Sequence, residues 1–141
     1  MRGDCVFCKI SRGQIPSQRI LEDELTVAFL GVDQVNPGHI IVAIKPHLET
    51  LVDLSPDQAA AAFRTVSRVT RAVNRAFKPA GLMIVQRSGT VSGETIPHFH
   101  LHVLPRTAND GMSLTWPRRT PPADELATLA EQIRLADGGA Q

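Results

Sequence analysis

Apolar residues in this chain gather in short runs, and the spacing within each run indicates the element it builds. The runs at 19–21 and 26–30 are short apolar stretches that read as strands. The run 39–44 is unbroken and closed by Lys45 and Pro46, as expected for a central strand. A further run at 82–85 precedes a turn-rich stretch at 88–93, and a last strand follows through Phe99, Leu101 and Val103. Between the third and fourth strands the periodicity changes. Ser55 can cap a helix, Pro56 suits its first position, and Gln58 completes a capping-box pattern. That helix should run to about Phe77, with Phe63, Val66, Val69, Val73 and Phe77 on one stripe, before Lys78-Pro79-Ala80-Gly81 stops it. A second stripe of Arg64, Arg68, Arg71 and Arg75 reads as a solvated face. A final helix fits 122–136, with Leu126, Leu129, Ile133 and Ala136 in a stripe and Gly138 and Gly139 as terminators. Strands interrupted by one long helix predict an α+β fold with a mostly antiparallel sheet. No repeat or linker divides the chain, so residues 1–141 are expected to form a single domain.

Composition narrows the function classes. Apolar residues make up 43% and charged residues 21%, an ordinary globular balance that excludes a disordered chain. Fifteen basic residues oppose 14 acidic ones for a formal charge of +1, so no global field favours nucleic acid or an anionic membrane, and any phosphate binding must be local. No apolar run approaches a signal peptide or a membrane span, and a cytoplasmic location is expected. Cys5 and Cys8 are the two cysteines; in a reducing compartment such a Cys-x-x-Cys pair is a metal site or a thioredoxin-like redox pair more often than a structural disulfide.

The strongest chemical signal lies at 98–104. His98, His100 and His102 alternate with Phe99, Leu101 and Val103, so on a strand the imidazoles share one face and the apolar residues enter the core. The backbones of His98 and His102 would stand about 13 Å apart, too far for all three imidazoles to share one tetrahedral metal. The three must divide their labour. Two histidines at i and i+2 can still ligate a metal together, so spacing leaves their individual roles open.

The segment matches the pattern His-φ-His-φ-His-φ-φ, φ being apolar, at every position from His98 to Leu104 and so resembles the histidine triad (HIT) superfamily. The stretch 36–47, with Pro37-Gly38-His39, resembles that family's proline-glycine-histidine strand, and 5–10 resembles the start of many bacterial, zinc-containing members. The resemblance covers about 5–106. It implies a HIT-like fold with about five strands, one long helix and a C-terminal helix, and a homodimer joining two sheets.

It further implies that His100 is a nucleophile attacking the α-phosphorus of a purine nucleotide or nucleotide conjugate, through a nucleotidyl-histidine that water then hydrolyses. Histidine suits this work because its neutral form is abundant near pH 7 and is basic enough to attack and then leave. His102 and His39 are implied to sit beside the phosphate oxygens and the leaving group. Cys5, Cys8, His47 and His98 are the implied ligands of a structural Zn²⁺. Gly93, Glu94 and Thr95 occupy the place where the family shows a glycine, an amide and a small hydroxyl residue that contact phosphate. Glu94 departs from that pattern; it would repel a phosphate unless turned away, or could serve as a base for water.

Gly31 stands where many relatives carry a ribose-binding aspartate, and Asp33 could replace it if the segment stays extended. Phe29, with Val27 and Leu30, could wall the base, although core packing explains them equally well. The segment 107–120 carries no assignable role. The expected activity is cleavage of nucleoside phosphoramidates, mixed nucleotidyl anhydrides or dinucleoside polyphosphates. The alternatives are transfer to phosphate or another acceptor, a non-catalytic nucleotide-binding module, and a hydrolase using His98 and His100 as ligands of a catalytic metal.

Overall fold

The computed structural model describes residues 4–138. Its elements run α1 (Val6–Ser11), β1 (Arg19–Glu22), β2 (Thr26–Leu30), β3 (Ile40–Ile44), α2 (Pro56–Phe77), β4 (Gly81–Gln86), β5 (His100–Arg106) and α3 (Ala123–Asp137). Every strand pairing is antiparallel, in the order β1-β2-β3-β5-β4, so β3 is central as its unbroken apolar run predicts. Single helical turns occupy Leu51–Asp53 and Thr90–Ser92, and together with α1 they are elements that hydrophobic periodicity did not reveal.

The cap of α2 forms as its sequence dictates. Ser55 Oγ accepts from the Gln58 amide, and Gln58 Oε1 accepts from the Ser55 amide. Val66, Val69 and Val73 are buried against Ala28, Val42, Phe99, Leu101 and Val103 on one face of the sheet. The stripe differs from expectation at its ends: Phe63 and Phe77 are 52% and 54% exposed. Ala61, Ala62 and Thr65 fill the buried face instead, because small side chains let the helix lie close on the sheet. Thr65 Oγ1 meets Thr26 Oγ1 at 2.6 Å, so the hydroxyls that this packing buries find each other.

Phe77 has a further contact. A Cβ on Gly38 would stand 2.7 Å from its ring, and Gly38 has φ +94°, a conformation L-residues rarely adopt. Glycine is thus required immediately before His39, and Phe77 covers the turn that delivers that histidine.

The opposite face of the sheet carries Val27, Phe29 and Ala43, which pack with Phe7 and Ile10 of α1. His100 and His102 lie on this side, since Phe99, Leu101 and Val103 face α2. The dry face and the chemical face are therefore separated as alternation predicts. β5 begins at His100, later than expected, because the Phe99 amide donates to Leu48 O outside the sheet ladder.

α3 forms with a left-handed Gly138 at its end; Gly139 lies outside the described residues. Its stripe contributes nothing to the core, with Leu126, Leu129 and Ile133 at 52%, 44% and 70% exposure and no residue of the helix buried. Among the described residues no helix is long and apolar enough to cross a membrane.

Candidate active site and metal centre

β5 delivers the triad and long-range contacts give each imidazole its orientation. His98 is fully buried, and its Nε2 lies 2.6 Å from Ile44 O, so that nitrogen carries the proton and donates. Its Nδ1 lone pair then faces Cys5 Sγ at 3.4 Å, Cys8 Sγ at 3.5 Å and His47 Nδ1 at 3.3 Å. Cys8 Sγ lies 3.3 Å from His47 Nδ1. Bonds of about 2.3 Å to sulfur and about 2.0 Å to nitrogen give tetrahedron edges of about 3.5 Å between N and S and about 3.3 Å between two nitrogens.

The four donor atoms, all within 4.8 Å of one another, therefore match a tetrahedral cation and could hold one. The electrostatics agree. Burial, reinforced by Cys5, pushes the Cys8 thiol above its ordinary pKa, so a thiolate here requires a positive partner. The second ring nitrogen of His98 is anchored to a backbone carbonyl, the arrangement that orients metal-binding histidines.

His100 is directed elsewhere. Its Nδ1 lies 2.6 Å from the carbonyl of His98, so Nδ1–H donates there and Nε2 is left with its lone pair. Burial lowers its pKa, as does the Arg87 guanidinium, while the His98 carbonyl and Glu94 oppose them. The imidazole is thereby kept neutral. With His98 aimed at the cysteines and His100 tied to a carbonyl, these two do not converge on a shared metal.

His39 and His102 form a relay. The Val35 amide donates to His39 Nδ1 at 3.3 Å, which places the His39 proton on Nε2. That atom lies 2.9 Å from His102 Nδ1, so His102 accepts there and keeps its own proton on Nε2. Burial and then the neighbouring His100, His39 and Arg87 push His102 down to about 4, and burial also lowers His39. The rings of His100 and His102 have centroids 5.1 Å apart.

The remaining expected contacts fare unevenly. Gly93 has φ +92° and is covered by Arg87, whose Nη1 would be 3.3 Å from a Cβ at that position. Glu94 is turned into its loop: Oε2 accepts from the Gly89 amide at 3.0 Å, while Oε1 is buried without a hydrogen-bond partner among the described residues. Thr95 lines a cavity of about 560 Å³ over the Cys/His cluster, with Cys5, Val6, His47, Ile96 and Pro97.

Asp33 requires a correction. The chain does not stay extended beyond Leu30, because the Gln34 amide donates to Gly31 O and His39 O at 2.6 and 2.8 Å and curls it, leaving Asp33 exposed. Phe29 is buried beneath Phe7 in the core on the α1 side, 5.6 Å between ring centroids.

Four features near the triad escaped sequence reasoning. Phe7 sets its ring edgewise to His100 with centroids 4.8 Å apart; the only available signal was an aromatic residue between the two cysteines. Gln34 also accepts from the Gly38 and His39 amides, both at 3.0 Å, and so holds His39 in place. Arg87 lines a second cavity of about 130 Å³ with Val35, His39, Val85, His102, Leu104 and Met112.

Asp110, bonded to Arg106 at 2.6 Å, to Asn36 at 2.9 Å and to the Met112 amide at 3.0 Å, clamps the chain after β5 against the turn before His39. The segment 107–120 thus has a partial role: it supplies Met112 to that cavity.

Comparison with known proteins agrees with this fold. The chain is 37% identical over 114 residues to Protein hit of Bacillus subtilis, covering 80% of this chain and 79% of that one. It is 30% identical to adenosine 5′-monophosphoramidase hnt1 of Schizosaccharomyces pombe, covering 92% and 95%. A HIT family protein from Bacillus anthracis superposes with a TM-score of 0.92 at 32% identity over 96% of this chain and 99% of that one. A Zn-bound histidine triad family protein from Mycobacterium smegmatis superposes with a TM-score of 0.73 at 33% identity over 94% and 97%. The HIT domain model matches residues 12–109, and with these relatives it establishes that the chain belongs to the HIT domain family.

Proposed function

We propose that this protein hydrolyses nucleotide conjugates at the α-phosphate, with His100 as nucleophile. The observation that carries the reading is the locked tautomer of His100: Nδ1–H bound to the His98 carbonyl leaves Nε2 as a lone pair in a buried, neutral ring. Nε2 attacks phosphorus, and the bond from phosphorus to the leaving group breaks. His102 Nε2–H, held in that tautomer by His39 and the Val35 amide, hydrogen-bonds the departing group, and a departing amine takes up its proton from solvent. Water then attacks the phosphorus, the P–N bond to His100 breaks, and the proton of the water is released to solvent. One proton enters in the first half and one returns in the second, so the products are a nucleoside monophosphate and the free leaving group. The name of the fission-yeast relative supports a phosphoramidate as one substrate, and mixed nucleotidyl anhydrides and dinucleoside polyphosphates share the reacting bond arrangement.

Cys5, Cys8, His47 and His98 are proposed to hold Zn²⁺, whose preference for four N and S donors suits this set, in a reducing cytoplasm that keeps both thiols free. The ion would cross-link the chain start to the segment entering β5, a structural task. A homodimer is proposed as well. Its support is the edge of β4, unpaired among the described residues, where Leu82 and Ile84 are 37% and 39% exposed, together with the exposed Phe63, Phe77 and apolar stripe of α3.

The test of catalysis incubates the protein with adenosine 5′-phosphoramidate and follows AMP release beside a His100→Ala variant, with acid-labile nucleotidyl-protein sought by mass spectrometry. Release by the wild type and an adduct on His100, both lost in the variant, are expected. Binding of AMP without any turnover would instead favour a nucleotide-binding module.

A further inference from the structure

Among the described residues Arg87 is the one charged side chain of the second cavity, and neither the catalytic relay nor the metal cluster uses it. Its place follows from strand register. In the β4–β5 ladder Val85 pairs with His102 and Gln86 with Leu101, and Arg87 follows directly at the end of β4. Side chains two apart share a face, so Arg87 belongs to the face of Val85 and the catalytic histidines. Its Nη1 donates to Gly93 O at 3.3 Å, and the absence of a Cβ on Gly93 lets the guanidinium lie across that loop.

The cavity it lines is bounded on the catalytic side by His39 and His102 and elsewhere by Val35, Val85, Leu104 and Met112, on the side of the triad away from the Cys/His cluster. About 130 Å³ is room for a group the size of a tetrahedral oxyanion. Among the described residues no carboxylate lies within salt-bridge distance of Arg87, whereas Arg106, the other arginine of this region, is neutralised by Asp110. With a formal charge of only +1 on the whole chain, an anion reaching this cavity must be met by a local cation.

We propose that Arg87 is a specificity-determining residue that grips an anionic leaving group in this cavity and so favours nucleotide conjugates that release an oxyanion. The proposal rests on the α-phosphate reading above. Arginine suits the task because its planar fork can hold two oxygens of a phosphate, sulfate or carboxylate at once, and the charge that grows on the departing oxygen strengthens both bonds. A conjugate that releases ammonia offers no such group, so its turnover depends on Arg87 less.

The experiment compares two substrates with the same nucleoside: adenosine 5′-phosphoramidate, which releases ammonia, and adenosine 5′-phosphosulfate, which releases sulfate. For wild type and Arg87→Gln the readout is the ratio of kcat/KM for the sulfate conjugate to that for the phosphoramidate. Partial misfolding cancels in this ratio because both substrates meet the same protein. Arg87→Gln should lower it about tenfold or more, and Arg87→Lys should restore it in part. An unchanged ratio would overturn the proposal.

A binding arm stands apart from turnover. The Kd values of AMP and ADP, measured by calorimetry, should favour ADP in the wild type and converge in Arg87→Gln, because only ADP carries an anion beyond the α-phosphate. Equal preference in both proteins would overturn the proposal. Absence of turnover on either substrate with this binding pattern intact would count against the hydrolase reading and leave Arg87 as the anion contact.

Discussion

At the scale of single residues, the site is organised by where protons are held. His98, His100 and His39 each have one ring nitrogen engaged by a backbone group, and His102 is set by His39. Each ring is consequently locked in a tautomer that leaves its other nitrogen available for a task. Burial makes these rings poor bases, which has a consequence for stability. His102 is pushed from 6.5 to about 4, so between these values the unfolded chain binds a proton that the folded chain refuses. Stability from this source is complete above about 6.5 and is lost as pH falls toward 4.

Thermal midpoints measured across that interval should therefore fall in the wild type, and fall less steeply in His102→Asn. A variant curve parallel to the wild type would show that His102 is not the group responsible. The alternation at 98–104 and the resemblance were enough to nominate the histidines, yet not to assign their protons. Phe7, Gln34 and Arg87 were not nominated, because their importance comes from neighbours far along the chain, which local spacing does not encode.

Elements show the same division. α2 was legible from Ser55 to Phe77 because its cap and period are local, and the Ser55–Gln58 bonds form as expected. What local spacing could not indicate is that Phe77 closes over the turn before β3. The Gly38–Phe77 approach yields a prediction at this scale. Gly38→Ala adds a Cβ that would stand 2.7 Å from the ring, at a φ of +94°. It should cost about 1–3 kcal/mol in chemical denaturation and lower AMP release, since His39 follows directly.

Shortening the ring should relieve the clash but not the backbone strain. The Gly38→Ala/Phe77→Leu double variant is therefore expected to be less destabilised than the sum of the single changes. Strict additivity would mean that the contact does not limit the site. α3 is the contrasting case: its helical period was correctly read, but a stripe on a helix says only that one face seeks cover, not what supplies it.

For the molecule as a whole, the two proposed assemblies, metal and dimer, make opposite demands on chain ends. The metal would pin Cys5 and Cys8 to His98, a bridge across 93 residues in the case of Cys5. Because such a cation binds the folded state preferentially, a chelator should lower the melting temperature by on the order of 10 °C. It should have little effect on His47→Ala, which is already short of a ligand, and zinc content measured on the same samples should track the difference. Equal melting of the wild type with and without chelator, at full zinc loss, would remove the structural role.

The uncovered stripe of α3 makes a complementary prediction for the dimer. Replacing Leu129 and Ile133 by Glu should shift sedimentation toward the single-chain mass if that stripe is covered by a second copy, while a variant that stays dimeric would place the interface on β4 alone.

The sequence by itself determined the five strands, α2, α3 and the sidedness of β5, and it nominated the histidines, because periods of 2.0 and 3.6 and helix caps are written within a few consecutive positions. Only the tertiary structure decided which distant residues meet. It set Ile44 O against His98 and Val35 N–H against His39, brought Arg87 into one cavity with His102, and curled the loop that carries Asp33. These meetings depend on strand order, register and the curl of a loop, which arise from packing between segments separated by tens of residues, so no local pattern in the chain contains them.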